Sequence, residues 1–200
     1  MSGEIVKILF DTDIGSDIDD AVALAYLLAQ PQCDLLGITT VSGQPIERAK
    51  LASAICKTAG RVVPIVPGSE DRIDGPTRQP NVQQAAVLAN WNHETEFSDE
   101  GAVEFMAKTI RNNPGEVVLL AVGPMTNVAR LFTEHPETAG MLKSLQMMIG
   151  QFYDPSASNK KIAEWNAHCD PAAASVVYAT DAPIHASVGL DVTLQVAMDS

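Results

Sequence analysis

Five aspartates fall within ten consecutive positions, Asp11, Asp13, Asp17, Asp19 and Asp20, and no Lys or Arg interrupts them. Like charges so close together repel, so the folded chain needs a metal ion, protonation or strong hydrogen bonds at this place. A hard divalent cation with oxygen ligands meets that need best. One or two aspartates at a helix start would be ordinary caps, and Asp19 or Asp20 can serve in that way. Capping does not account for five.

The flanking residues say what holds the cluster. Residues 5–10 form a short apolar, β-branched run that predicts a buried strand, and Ala21, Val22, Leu24, Ala25, Leu27 and Leu28 recur as one helical face. The aspartates are therefore expected at a strand-to-helix turn. In an open parallel sheet that turn lies at the carboxyl edge, where ligands bind, and the helix N-terminus favours carboxylates. Strand and helix signals then alternate: strands over residues 34–41, 62–66, 116–122, 144–149 and 184–188, and helices over 46–59, 101–112, 126–132 and 171–180. Residues 68–100 are rich in Gly, Pro and polar side chains, with a brief helical stretch at 83–88, and read as a long excursion or lid. The alternation predicts an α/β fold, a doubly wound, mostly parallel sheet flanked by helices. No repeat or linker divides the 200 residues, so one domain is expected.

Composition narrows the partners. With 46% hydrophobic residues the chain can bury a substantial core, and its formal net charge of −12 argues against a nucleic-acid backbone or an anionic membrane as the main partner. Cys33, Cys56 and Cys169 lack metal-type spacing and suit reduced thiols in a cytoplasmic protein. The opening residues carry neither a signal-peptide pattern nor a transmembrane run. His93, His135, His168 and His185 are isolated from one another, and Met141, Met147 and Met148 are most simply core.

Several separate segments resemble one family, the calcium-dependent, inosine-uridine preferring nucleoside hydrolases, which cleave the N-glycosidic bond of ribonucleosides. The opening is similar to the family's Asp-x-Asp-x-Gly stretch ending in Asp-Asp-Ala, here Asp11, Asp13, Gly15 and Asp19-Asp20-Ala21. Ile38-Thr39-Thr40-Val41-Ser42-Gly43 resembles its second strand and following loop, and Gly123-Pro124-Met125-Thr126-Asn127 its Gly-Pro-Leu-Thr-Asn turn. Ala163-Glu164-Trp165-Asn166 with Asp170-Pro171 is similar to its Ala-Glu-Phe-Asn segment and adjoining Asp-Pro, and Val188-Gly189-Leu190-Asp191-Val192-Thr193 to its Gly-Leu-Asp-Val-Thr stretch. The five segments occur in family order across residues 7–193.

The resemblance implies a site. Asp13 would bind Ca²⁺ and take a proton from a bound water that attacks the anomeric carbon. Asp20 would be a metal ligand, Thr126 would offer its backbone carbonyl, and Asp19 would accept hydrogen bonds from ribose hydroxyls. Glu164 and Asn166, two apart, would grip the sugar from one side of an extended segment and favour an oxocarbenium-like ring. Read without the family, Thr126 is an N-cap in an ordinary turn and Glu164 and Asn166 are solvated loop residues.

This sequence also departs from the family pattern. Its metal loop is two residues longer than the commonest form, so Asp17 competes with Asp19 for one role and is itself a candidate ligand. Gln44 stands where a sugar-contacting Asn is usual, Asn159 lies one residue nearer Glu164 than another sugar-binding Asn would, and Trp165 replaces a Phe. Family members continue past the point matching Ser200 into a part that carries a further aspartate ligand and often a histidine near the leaving base. That part is expected to cover apolar surface, so association into a homo-oligomer is expected of the chain as given. The expected partner is a small ribonucleoside. Two other readings stand beside hydrolysis: a non-catalytic calcium- or ribose-binding module, and a Mg²⁺-dependent phosphatase using an aspartyl nucleophile in Asp11-Thr12-Asp13.

Overall fold

A computed structural model describes residues 4–152 and 163–196. Six strands, β1 (Val6–Thr12), β2 (Cys33–Thr40), β3 (Ile65–Pro67), β4 (Val117–Ala121), β5 (Ser144–Met148) and β6 (His185–Val188), pair in the order β3-β2-β1-β4-β5-β6, all parallel. The longer helices are α1 (Asp19–Ala29), α2 (Pro45–Thr58), α3 (Ala102–Asn112), α4 (Thr126–Glu134) and α7 (Pro171–Ala179). Short turns of helix form α5 (Glu137–Gly140), α6 (Trp165–Cys169) and α8 (Leu190–Thr193), and Gln83–Asn90 is a 3₁₀ segment. The chain winds from β1 out to β3, then returns to the other side of β1 at β4. The carboxyl ends of β1 and β4 therefore flank the switch point, where crevices form in such sheets.

Two apolar layers clothe the sheet. Leu9, Leu119, Leu145 and Met147 meet Met106, Ile110, Val128, Leu131 and Val177 from α3, α4 and α7. On the other face Phe10, Leu35 and Ile38 meet Leu24, Leu28, Ala52 and Cys56 from α1 and α2. The register places Val118, Leu120 and Val122 on this second face, together with Gln146 and Met148 of β5 and Ala186 and Val188 of β6. All of these are half-buried or exposed: α1 and α2 lie chiefly over β1–β3, and of this group Leu120 and Val122 pack against the edge of that layer.

Two sequence expectations shift. β1 runs through Thr12 because Asp11 pairs with Thr39 on one side and Ala121 on the other, so Asp11 belongs to the strand rather than to the turn. β3 begins at Ile65 and not at Val62, whose side chain is fully exposed beyond the sheet edge. Within 68–100 the excursion folds back on α2 through Val82, Leu88, Leu51 and Ala54, and the helical stretch expected at 83–88 takes 3₁₀ form.

Candidate active site

Asp11 is wholly buried between β1, β2 and α4. Its Oδ1 accepts from Thr39 Oγ1 at 2.5 Å and Asn127 Nδ2 at 2.8 Å, while Oδ2 has no partner. Burial pushes this carboxyl up to about 7, against the pull of the two donors. Asn127 also donates to Thr40 O and accepts from Ser69 N, so it ties β1, β2 and the start of the excursion together.

Asp13 follows beyond the strand end, on the wall of a cavity of about 230 Å³. Gly123 must be a glycine here: a Cβ would lie 2.8 Å from Asp13 N and 2.9 Å from Asp13 Oδ1. The β4–α4 turn can thus close against the carboxylate. Asp20, at the start of α1, is buried and accepts from Thr12 Oγ1 at 2.6 Å. The Asp13 and Asp20 carboxyls reach each other within hydrogen-bonding range. Burial raises Asp13 to about 6 despite the opposing charge of Arg48. Burial and the Asp13 charge hold Asp20 well above the usual carboxylate range.

The opposite wall comes from the segment after β5. Glu164 is the N-cap of α6, its Oε1 accepting from Asn166 N at 2.7 Å and its Oε2 from Ala167 N at 2.8 Å and Gly150 N at 2.9 Å. Asn166 donates through Nδ2 to Val122 O at 2.7 Å and Met148 O at 2.9 Å, lashing the ends of β4 and β5 together. This corrects the expected extended segment: Glu164 precedes a helical turn and Asn166 lies inside it, because three orphan N–H groups capture the Glu164 carboxylate. Both residues line the cavity and both are buried.

The other candidates distribute as follows. Asp17 and Asp19 are exposed at the cavity rim, and both line it. Thr126 is buried outside the lining, its hydroxyl donating to Asp170 Oδ2 at 2.7 Å. Gln44 is exposed, in left-handed backbone with φ 57°, and its Oε1 accepts from Val82 N at 3.2 Å, so its side chain braces the excursion and not the cavity. Asn159 lies outside the described residues. Three participants went unremarked in the sequence. Gln79, from the excursion, donates to Ser16 Oγ and accepts from Trp165 Nε1 at 3.2 Å, closing one side of the cavity. Ser16 joins it there. Arg48 lies buried behind the aspartate loop. No local pattern marks Gln79. Arg48 does fall on the buried stripe of α2 with Pro45, Ala49, Ala52 and Cys56, and an arginine at such a position is a usable signal.

The donors at the cavity are oxygens, with no His or Cys in its lining. Two buried carboxylates forced together, and one orphaned carboxylate oxygen behind them, suit a hard cation that keeps positions open for water and hydroxyls. Among the described residues no three His, Cys, Asp or Glu side chains already stand in a metal-holding group. A larger groove of about 720 Å³ between α1, α2 and the 3₁₀ segment is apolar and holds no titratable side chain, so the chemistry belongs to the smaller cavity.

A sequence profile described as inosine-uridine preferring nucleoside hydrolase matches residues 8–200. A probable uridine nucleosidase 2 of Oryza sativa subsp. japonica is 32% identical over 201 residues, covering 95% of this chain and 58% of its own length. A pyrimidine-specific ribonucleoside hydrolase RihA of Salmonella arizonae is 31% identical over 204 residues, covering 94% and 61%. Among solved structures, a plant nucleoside hydrolase, PpNRh1, superposes with a TM-score of 0.84 at 25% identity, covering 96% of this chain and 62% of its own. A purine-preferring ribonucleoside hydrolase from Gardnerella vaginalis does so with 0.84 at 25%, covering 96% and 63%. The chain thus spans about three-fifths of the length of these relatives.

Proposed function

The chain belongs to the inosine-uridine preferring nucleoside hydrolase family, and from that premise we propose that it hydrolyses the N-glycosidic bond of a ribonucleoside to ribose and free base, with calcium as its metal. The observation that carries this reading is the pair of buried carboxylates, Asp13 and Asp20, facing Glu164 and Asn166 across one small polar cavity at the sheet's switch point.

Asp13 and Asp20 would hold the ion, with Asp17 or Asp19 at the rim. Bound there, calcium would acidify and orient a water. Asp13 is the base: it lines the cavity beside Asp20, where its carboxylate would lie next to a metal-bound water and within reach of its proton. Asp19 faces the cavity where ribose hydroxyls would lie. Glu164 and Asn166 are pre-oriented by their backbone partners, so little side-chain freedom is lost when a sugar binds beside them. Trp165, half exposed and fixed by Gln79, supplies an apolar plane at the mouth.

A second reading, binding of calcium and ribose without turnover, is favoured by the absence of a third converging carboxylate among the described residues. The phosphatase reading finds no support, because Asp11, its nucleophile, is sealed from solvent and already bonded to Thr39 and Asn127. Release of base from inosine and uridine, with and without added calcium, tests the proposal. Wild type should turn over, and Asp13→Asn should fall by about a hundredfold or more, within the usual worth of a general base. Undiminished turnover in Asp13→Asn would refute the assigned base. Calcium binding without any base release would establish the second reading.

A further inference from the structure

Behind the loop that carries Asp13 lies a guanidinium whose hydrogen bonds reach no carboxylate. Arg48 projects from the first turn of α2, is fully buried and contributes no surface to the cavity. Its Nε donates to Gly43 O at 2.9 Å, and its Nη1 donates to the carbonyls of Asp13 and Ile14, the latter at 3.1 Å, and to Ser16 Oγ at 3.3 Å. Nη2 has no partner. A charge buried in this way is expensive, and a side chain that merely filled the core would be apolar. What the guanidinium does instead is join two main-chain turns, the aspartate loop after β1 and the turn after β2 where Ser42 and Gln44 take positive φ.

We propose that Arg48 is a positioning residue for the metal loop. By fixing the Asp13, Ile14 and Gly43 carbonyls from behind, it holds Asp13 opposite Asp20 in the arrangement that accepts a divalent cation. This role rests on the calcium-dependent reading above. Two effects of opposite sign compete. The charge of Arg48 repels an incoming cation, whereas a loop already held in place need not be ordered on binding. Groups that orient metal ligands from outside the ligand set are worth about ten- to a hundredfold in affinity. The guanidinium spends its bonds on the main chain, so its ordering of the loop outweighs the repulsion. Lysine, a point charge without the planar fork, cannot span both turns at once.

Calorimetric titration with calcium chloride decides the matter on four proteins: wild type, Arg48→Met, Arg48→Lys and Leu131→Ala. The last removes core on the far face of the sheet and controls for lost stability. The dissociation constant should rise about tenfold or more in both Arg48 variants and stay unchanged in Leu131→Ala. If Arg48→Met fails to fold, Arg48→Lys decides by the same criterion. Unchanged or tighter binding in the Arg48 variants overturns the proposal, since a guanidinium acting only as a charge would give that result. Equal weakening in Leu131→Ala overturns it as well. A wild-type protein that binds no calcium refutes the functional reading itself and the Arg48 role with it, and that failure is visible before any variant is made.

Discussion

Asp11, Asp13 and Asp20 carry carboxyls raised above their ordinary values, chiefly by burial. A group whose proton affinity is higher folded than unfolded favours folding while protonated, and that advantage disappears as pH rises through the folded value. The metal-free chain should therefore be more stable near pH 5 than near pH 8, losing stability from the ordinary carboxylate range up to about 6 for Asp13 and about 7 for Asp11, with no further loss from these two groups above that. For Asp11, keeping the buried carboxylate charged at pH 8 costs up to roughly 4 kcal/mol by that linkage. Asp11→Asn keeps an acceptor for Thr39 and Asn127 and removes the charge, so in chelator it should melt higher than wild type at pH 8 and show a flatter pH profile. Melting curves from pH 5 to 8 in chelator check both statements; a wild-type midpoint that climbs with pH would contradict them. Added calcium should flatten the wild-type profile too, by supplying at Asp13 and Asp20 the positive charge that protons supply without it.

At the level of elements, α6 shows how a short helical turn builds half a site. Glu164 satisfies three backbone N–H groups, including Gly150 from the preceding strand end. Glu164→Ala would orphan all three and should cost about 2 kcal/mol or more, the loss of a cap plus desolvated donors. Glu164→Gln keeps one acceptor and should cost less. Chemical denaturation orders the two, and equal losses would show that the cap does not set the energy. The strand and helix order was legible because periodicity and turn residues are local signals, and the helix expected over 171–180 forms as α7, with Asp170 as its N-cap and proline in the first turn. The α6 turn was not legible. Its cap is a glutamate, outside the usual capping residues, and part of what it accepts comes from Gly150, fourteen positions away.

At the scale of the whole molecule, the cavity joins the ends of β1, β4 and β5 to the excursion and to α6 and α8. The aspartates could be named from type and spacing, and Glu164 and Asn166 from the family resemblance, but the bonds of Gln79 to Ser16 and Trp165 cross 63 and 86 positions and leave no mark in the sequence. The same long-range accounting exposes an imbalance in the layers. A parallel sheet ordinarily has both faces covered, yet on the α1-side face, beyond Leu120 and Val122, which pack against the α1–α2 layer, Val118 and Met148 are only half-buried and Val188 is exposed, and Val192 and Leu194 are exposed after β6. Exposed apolar surface of this kind binds hydrophobic dyes even in a fully folded chain. The 200-residue protein should therefore enhance dye fluorescence under conditions where its melting is still cooperative, which separates a native open face from a loosened core. Val188→Lys places a charge on an exposed position of the edge strand, where lysine is well tolerated, so it should lower the dye signal and leave the melting midpoint nearly unchanged. A dye signal indifferent to Val188→Lys, or absent from the wild type, would mean that this face is not open in solution.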